Sequence, residues 1–382
     1  MAGLSQQDLV KLVQSVFPRF EYDRVLGILV DVPRTSDRDN PDWKRRRAMA
    51  AAWFRELRSA AGEIPLEDVR LLAYPDVGSN NADLPDELFV VTGELPPTAE
   101  RLDEAGTRKP ASAVFAETQV FLAPTEYSTT APLKNAAAKY GFRAATMPGF
   151  SESMIPALRI DYGEVGRRVS LLKERLDRAE SATIEFDVEG VGPYHVLFDL
   201  RFRKAHMSSG RFPEKGTAGN LPSGETYIVP YEGEREEASR TSGVLPVEIE
   251  GKIVEFTIED NRAVAAEGEG PEARAEQDRL NREPAYGNMA ELGFGVLGDF
   301  SVEPVGEILL DEKLGLHIAF GRSDHFGGRI GPGDFSTPAE VVHLDRIYIP
   351  AVQPRIRVRS LVLFYPEDPS ETLMEDGRYL IF

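Results

Sequence analysis

The chain has 382 residues and a formal net charge of −19, from 63 acidic and 44 basic side chains, and it contains no cysteine. The acidic balance disfavours nucleic acid and anionic membranes as partners, because phosphate recognition requires a basic face. The lack of cysteine excludes disulfides and thiolate zinc sites, so any metal must be held by oxygen and imidazole. The N-terminus has no signal-peptide pattern and no apolar run could span a bilayer, so we expect a cytoplasmic protein.

The first part of the chain alternates between predicted helices and strands. We expect helices at about 5–17, 42–61 and 131–140, and strands at 24–32, 69–73, 88–92 and 113–122. This alternation is typical of an α/β domain with a mostly parallel sheet. No Gly-x-Gly-x-x-Gly follows the first strand and no Gly-Lys-[Ser/Thr] loop occurs, so the sequence gives no support for a nucleotide site.

The pattern changes near residue 148, where a Pro/Gly/Met-rich stretch interrupts it. Beyond it we expect helices at 163–181 and 271–282, and strands at 182–188, 194–202, 227–230, 245–250, 252–258, 305–310, 316–320, 341–349, 355–364 and 378–382. Short strands of alternating or apolar character dominate this part. We therefore predict an α/β domain over 1–148 and a larger, β-rich α+β domain over 149–382.

Three of the five histidines, His317, His325 and His343, fall between residues 315 and 345. Asp345 follows His343 at a spacing of two, which places both side chains on one face of a strand. Imidazoles together with a carboxylate are a plausible set of ligands for a divalent metal. Taken singly, each histidine has a simpler interpretation: His317 lies in an apolar run typical of a core strand, and His325 lies in a glycine-rich loop.

Two glutamates occupy unusual settings. Glu225 ends the turn Asn-Leu-Pro-Ser-Gly-Glu and enters an apolar strand, and Glu291 lies in Ala-Glu-Leu-Gly-Phe-Gly. An unpaired carboxylate is costly to bury, and a cation would offset that cost. The alternatives are an exposed turn residue for Glu225 and a buried salt bridge for Glu291. With the histidines and the aspartate, these residues are a sensible set for two metal ions, which can activate water and polarise a carbonyl.

Four segments in order resemble the aminopeptidase T family of thermophilic-type metallo-aminopeptidases. They are Asn-Leu-Pro-Ser-Gly-Glu (220–225), Glu-Leu-Gly-Phe-Gly (291–295), His-Ile-Ala-Phe-Gly (317–321) and His-Leu-Asp (343–345). The resemblance covers the C-terminal two-thirds of the chain. It implies a small α/β domain and a larger catalytic domain, a homodimer, and removal of N-terminal residues from peptides. It also implies two divalent ions, such as zinc, cobalt or manganese.

On this resemblance, the predicted metal ligands are Glu225, Glu291, His317, His343 and Asp345, with Glu291 in the bridging position. There is one departure from the family pattern. Soon after the first histidine the family usually has a tyrosine in the site, whereas this chain has Ser-Asp-His over 323–325.

We expect His325 to take over substrate polarisation or proton transfer, or to act as a further metal ligand. Glu291 and His325 are therefore the predicted catalytic residues. The predicted substrate is a peptide or another small molecule.

A branch with the same fold is similar to 2,5-dihydroxypyridine dioxygenases, which open an aromatic ring with one non-haem iron(II). His317 or His325, with His343 and Asp345, can supply the two histidines and one carboxylate of such a site. Those dioxygenases carry histidine where this chain keeps Glu291, and the retained glutamate favours two metals and hydrolysis. A metal-binding protein without catalysis is the third interpretation. We predict a metallo-aminopeptidase.

Overall fold

The computed structural model describes residues 3–18, 22–60 and 62–382. The chain divides into two compact units, the first of residues 1–166 and 208–223 and the second of residues 167–207 and 224–382. The helices of the described residues are α1 (Gln6–Val16), α2 (Pro41–Ser59), α3 (Leu102–Ala105), α4 (Ala111–Glu117), α5 (Thr130–Tyr140), α6 (Ile155–Leu158), α7 (Tyr162–Leu176), α8 (Pro271–Arg282) and α9 (Ile308–Asp311).

The strands of the described residues follow in chain order. They are β1 (Val25–Val32), β2 (Asp68–Pro75), β3 (Glu87–Val91), β4 (Gly106–Pro110), β5 (Val120–Ala123), β6 (Arg143–Thr146), β7 (Ser181–Val188), β8 (Gly192–Asp199), β9 (His206–Ser208), β10 (Thr217–Asn220), β11 (Glu225–Ile228), β12 (Ser242–Ile249), β13 (Lys252–Glu259), β14 (Arg262–Gly268), β15 (Met289–Gly295), β16 (Leu316–Gly321), β17 (His343–Ile347), β18 (Ile356–Phe364), β19 (Glu371–Glu375) and β20 (Arg378–Tyr379).

The first unit contains a seven-stranded sheet in the order β10-β6-β5-β1-β2-β3-β4. The central strands are parallel, and β3 and β4 add antiparallel pairings at one edge. Every residue of β1 is buried, as its apolar sequence predicts for a strand covered on both faces. The prediction of a mixed α/β fold that contains a parallel sheet is confirmed.

Helix α1 of this unit begins at a capping box formed by residues close together in the sequence. Ser5 and Asp8 form a capping box, in which the Ser5 hydroxyl accepts from the Asp8 N–H at 3.2 Å and the Asp8 carboxylate accepts from the Ser5 N–H at 3.1 Å. These bonds satisfy amide donors that have no partner inside the helix. The apolar side chains of α1 then lie on one buried face.

The second unit contains most of the antiparallel strands. An eight-stranded sheet runs in the order β14-β13-β12-β8-β7-β18-β19-β20, and a five-stranded sheet runs in the order β17-β16-β15-β11-β9. In the five-stranded sheet, β15 and β16 are buried along their whole length. This sheet is the element that positions the predicted site. Among the helices of the described residues, none is both long and apolar enough to cross a membrane.

Several predicted elements were wrong. The strand expected over 113–122 is helix α4 followed by the short strand β5, because an apolar run of this length does not distinguish the two conformations. The strand expected over 305–310 is replaced by the short helix α9. The helix expected to reach residue 181 ends at Leu176. The strand β15, which carries Glu291, was not predicted, since its glycines disfavour a strand.

Candidate metal centre

The predicted metal ligands lie on four adjacent strands of the five-stranded sheet. Glu225 begins β11, Glu291 lies in β15, His317 lies in β16, and His343 and Asp345 lie in β17. The strands are neighbours in the order β17-β16-β15-β11, and the three pairings between them are antiparallel. The sheet therefore brings together residues that are far apart in the sequence.

The sheet leaves space for one imidazole by placing a glycine opposite it. Gly293 of β15 is the register partner of His317 in β16. A Cβ atom added at Gly293 would lie 1.9 Å from Nε2 of His317, far inside van der Waals contact. The imidazole thus lies over the backbone of Gly293, and from there its Nε2 reaches the carboxylate of Glu291. Any side chain at position 293 would displace the ring.

One group of donor atoms surrounds Nε2 of His317. This nitrogen lies 3.2 Å from Oε1 of Glu291 and 3.6 Å from Oε2 of Glu225. The ligand atoms of these three residues all lie within 4.8 Å of one another, and all three side chains are buried. Two carboxylates and one imidazole at this spacing can hold a divalent cation.

A second group surrounds Nε2 of His343. This nitrogen lies 3.4 Å from Oε2 of Glu291 and 3.7 Å from Oδ1 of Asp345. Glu291 therefore presents one carboxylate oxygen to each imidazole. A carboxylate that faces two donor groups in this way is suited to bridge two cations.

Backbone carbonyls orient both imidazoles. Nδ1 of His317 lies 3.2 Å from the carbonyl oxygen of Gly315, and Nδ1 of His343 lies 2.7 Å from that of Arg322. A carbonyl oxygen only accepts hydrogen bonds, so each Nδ1 carries a hydrogen and donates it. Each Nε2 is then the atom available to a metal, the arrangement common among metal-bound histidines.

The charges of the centre are strongly coupled. Burial raises the pKa of Glu291, but the hydrogen bonds from His317 and His343 outweigh it and hold that pKa well below its usual range. Burial lowers the pKa of His317, but the hydrogen bond and negative charge of Glu291 raise it to about 9. Burial also lowers the pKa of His343, but the hydrogen bonds to Asp345 and Glu291 raise it well above its ordinary value. In the absence of a cation, the imidazolium groups balance the buried carboxylates.

Two carboxylate oxygens of the centre lie near an imidazole but lack a hydrogen bond within the described part of the chain. Oε2 of Glu225 and Oδ1 of Asp345 are buried, and neither accepts a hydrogen bond from the residues that the structure describes. A buried carboxylate oxygen without a partner is costly and uncommon. One of these oxygens belongs to each donor group. The first group therefore fits a divalent metal, because a cation would pair with the unpartnered oxygen of Glu225, and the second group has an unpartnered oxygen of the same kind on Asp345.

One charged residue of the centre was missed by the sequence analysis. Nζ of the buried Lys313 donates to Oε1 of Glu225 at 2.5 Å and also contacts Glu312. Burial lowers the pKa of Lys313, but the charges of Glu225 and Glu312 raise it above its ordinary value. Burial raises the pKa of Glu312 to about 8. The Asp-Glu-Lys run at 311–313 stands between leucines, and this placement could have indicated a buried ion pair.

His325 lies beside the centre, in a short helical turn after β16. Its ring centroid is 5.4 Å from that of His343, and the two rings are nearly perpendicular at 82°. Partial burial and the charge of His343 together lower the pKa of His325 to about 4. His325 is therefore neutral at pH 7 and can accept a proton. Its Nδ1 lies 3.5 Å from Oδ1 of Asp324.

The architecture belongs to a class of fold found in solved enzymes, although no protein-family model and no curated protein matches the chain. A 2,5-dihydroxypyridine dioxygenase from Pseudomonas putida KT2440 matches with a TM-score of 0.56 and 16% identity, over 99% of this chain and 98% of its own. Wild-type AmpT from Thermus thermophilus matches with a TM-score of 0.55 and 14% identity, over 98% of this chain and 100% of its own. At these identities, the similarities establish a shared fold.

Proposed function

We propose that this protein is a metallo-aminopeptidase that hydrolyses the N-terminal peptide bond of peptide or small-molecule substrates. The observation that carries the proposal is the position of Glu291 between two imidazoles. Its oxygens lie 3.2 Å from Nε2 of His317 and 3.4 Å from Nε2 of His343. Each of these donor groups contains a further carboxylate with an unpartnered oxygen. This arrangement supports two cation positions that would share the carboxylate of Glu291.

Glu225, Glu291 and His317 would hold one ion, and Glu291, His343 and Asp345 would hold the other. Zinc, cobalt or manganese in these positions would polarise the substrate carbonyl and lower the pKa of water. The protein's own contribution is to fix the ligands. Backbone carbonyls orient the two imidazoles, and the ammonium group of Lys313 holds one oxygen of Glu225.

We assign proton transfer to His325. Its Nδ1 faces Asp324 at 3.5 Å, which leaves Nε2 as the nitrogen that can exchange a proton with the substrate. A proton acceptor must be in its neutral form, and partial burial lowers the pKa of His325 and so favours that form. The ring lies next to the His343 ring and outside the first donor group. It is therefore placed to act on a substrate rather than to hold the first ion.

The shared fold of AmpT, an aminopeptidase T, supports the hydrolase proposal. The resemblance of the sequence motifs to that family supports a homodimer. A cytoplasmic location is part of the same proposal, supported by the acidic composition. Sedimentation of the purified protein would test the dimer directly.

A ring-cleaving dioxygenase is the second candidate, because the dioxygenase from Pseudomonas putida shares the fold equally well. His343 and Asp345, with His317 or His325, would then hold a single iron(II). Glu225 and Glu291 argue against this alternative. Both are buried beside His317, and one oxygen of Glu225 would be left without a partner if only the second position were filled.

The deciding experiment measures metal content per chain together with activity. Purified protein is analysed by elemental mass spectrometry and assayed with aminoacyl chromogenic substrates, before and after chelation and reconstitution. Two zinc, cobalt or manganese ions per chain and chelator-sensitive release would support the hydrolase. One iron per chain and oxygen uptake with a dihydroxylated pyridine would identify the dioxygenase. Failure to bind any metal after reconstitution would overturn both assignments.

A further inference from the structure

Three aromatic side chains form a continuous surface beside the metal centre. The Tyr227 ring stacks on His206 with a centroid distance of 5.4 Å and an interplanar angle of 23°. The Tyr227 ring also packs against Phe326, with a centroid distance of 4.8 Å. We refer to His206, Tyr227 and Phe326 as the aromatic wall. Its members come from β9, β11 and the turn after β16, so the fold rather than the local sequence assembles it.

The aromatic wall is continuous with the metal ligands. Tyr227 lies two residues after Glu225 in β11, so both side chains are on the same face of the strand. Its register partner is Gly293, over which the His317 ring lies. At the other end of the wall, the Phe326 ring is 5.4 Å from the His343 ring. A substrate held at the metal centre would therefore have an aromatic surface directly beside it.

The wall is accessible to solvent. His206 is exposed, and Tyr227 and Phe326 are half-buried. The carboxylate of the adjoining loop, Asp324, forms an ion pair with Nε of Arg322 at 2.6 Å. The ring faces of Tyr227 and Phe326 therefore have no free carboxylate from this loop beside them to favour a cationic group. An apolar group of the substrate can replace water on this surface.

Buried polar contacts hold the loop that carries Phe326. The Glu232 side chain is 3% exposed, and its Oε1 accepts from the Ser323 hydroxyl at 2.5 Å and from Nδ2 of Asn288 at 2.8 Å. On the far side of Phe326, a guanidinium nitrogen of Arg203 donates to the carbonyl of Gly327 at 3.1 Å. The loop is thus fixed at both ends of the turn, and binding would not require it to be ordered.

We propose that the aromatic wall binds the side chain of the substrate's N-terminal residue and selects uncharged aromatic or large aliphatic groups. The inference rests on the proposed aminopeptidase function, and it adds the substrate class. The physical basis is burial of apolar area and ring-to-ring contact, both of which increase with the size of the side chain. Alanine offers too little surface to gain from the wall, and lysine would have to give up the hydration of its ammonium group to lie there.

The test compares kcat/KM for phenylalanyl, leucyl, alanyl and lysyl p-nitroanilides. The metal-loaded wild-type protein should prefer phenylalanyl and leucyl over alanyl and lysyl substrates by about tenfold or more. Phe326→Ala should reduce this preference to about twofold or less. Phe364→Ala, which removes a ring 41% exposed on β18, is the matched control and should keep it. A wild-type preference for lysyl substrates, or an unchanged preference in Phe326→Ala, would overturn the proposal.

Binding without turnover separates this inference from the proposed function. L-phenylalaninamide and L-alaninamide are titrated into the wild-type protein and into His206→Ala and Tyr227→Phe by calorimetry. The wild-type protein should bind the aromatic amide more tightly, Tyr227→Phe should keep the difference because the ring remains, and His206→Ala should reduce it. If no peptide is hydrolysed but L-phenylalaninamide still binds more tightly than L-alaninamide, the aminopeptidase assignment is contradicted and the inference about the aromatic wall is supported. Equal binding of the two amides would contradict the proposal that the aromatic wall selects the substrate side chain.

Discussion

Two sites with buried carboxylates, one in each unit of the chain, differ in how the protein pairs the carboxylate oxygens. In the first unit, Asp31 is fully buried at the end of β1, and its oxygens accept from Nε1 of Trp43 and from the backbone N–H groups of Glu126 and Tyr127 at 2.8 to 3.1 Å. In the second unit, Glu225 and Asp345 are also buried, yet each keeps an oxygen that accepts no hydrogen bond from any described residue. Burial raises the pKa of Asp31 to about 6.

The contrast separates a buried carboxylate whose oxygens are paired within the protein from carboxylates that leave an oxygen available to a cation. The oxygens of Asp31 are supplied with donors by a side chain and two amides of the protein itself, so the residue needs no ligand. The metal centre instead contains several carboxylates around two imidazoles, and its internal donors leave some oxygens unsatisfied. A cation would pair with the unsatisfied oxygens of the metal centre, whereas the oxygens of Asp31 already have partners.

The largest expected effect comes from Glu291→Gln. The amide keeps the shape of the side chain but loses the negative charge that faces both imidazoles, so neither cation position should hold its ion. Hydrolysis of aminoacyl p-nitroanilides should fall by more than about 10³-fold. Metal content measured by elemental mass spectrometry should fall well below two ions per chain.

Asp31→Asn is the matched control, because it makes the same change at a fully buried carboxylate in the first unit. It should lower the melting temperature and leave metal content unchanged. Loss of metal in Asp31→Asn, or full metal content in Glu291→Gln, would contradict the distinction drawn between the two carboxylates.

His325→Ala should produce the second largest effect. The ring is assigned to proton transfer, so its removal should lower kcat by about 100-fold while metal content is retained. His195→Ala is the control, since His195 is an exposed histidine on β8 in the eight-stranded sheet. Loss of metal in His325→Ala would instead identify His325 as a ligand. An unchanged kcat would show that the residue has no part in the reaction.

Gly293→Ala tests the sheet geometry with a single methyl group. The added Cβ would lie 1.9 Å from Nε2 of His317 and must displace the imidazole, so metal affinity should fall by about 10- to 100-fold. Competition with a chromogenic chelator measures that affinity. Gly93→Ala is the control, because an added Cβ there meets no atom within 4 Å. Equal affinity in the two variants would mean that the ring does not depend on the space above Gly293.

The residues that meet around His317 and His343 could be singled out from the sequence because each stands in a short, distinctive motif, and their role as metal ligands stays a prediction. His343 and Asp345 alternate on one strand, and the structure places them together beside Glu291. The prediction that Glu225 and Glu291 are buried among apolar residues also agrees with the structure. The helix α8 was predicted with its observed bounds, since Pro271 begins it and its polar face is periodic.

Other features depend on tertiary contacts that no local pattern reveals. Lys313 reaches Glu225 only because the chain before β16 passes next to β11. The strand β15 contains glycines that disfavour a strand in isolation, and the space they leave is needed by the partner side chains. The aromatic wall joins three separate segments, of which the sequence analysis considered none as a substrate surface.

The smallest expected effect is a pH dependence of stability that differs with metal content. In chelator-treated protein, the pKa of His317 is raised from its ordinary 6.5 to about 9 by Glu291, against the opposing effect of burial. A raised pKa means that the folded state binds the proton more tightly, so this stabilisation is complete below pH 6.5 and is lost as the pH rises through 9. The melting temperature of the metal-free protein should therefore fall by a few degrees over this interval.

In metal-loaded protein, stabilisation by the metal should instead increase as the pH rises. A metal binds the deprotonated imidazole, so it competes with fewer protons at higher pH. The shift in melting temperature produced by stoichiometric zinc should grow between pH 6.5 and 9. Scanning fluorimetry with and without chelator measures both trends. Asp31 cannot produce them, since its pKa of about 6 places its titration below this interval. A metal-free melting temperature that is constant or rises from pH 6.5 to 9 would show that Glu291 does not hold a proton on His317.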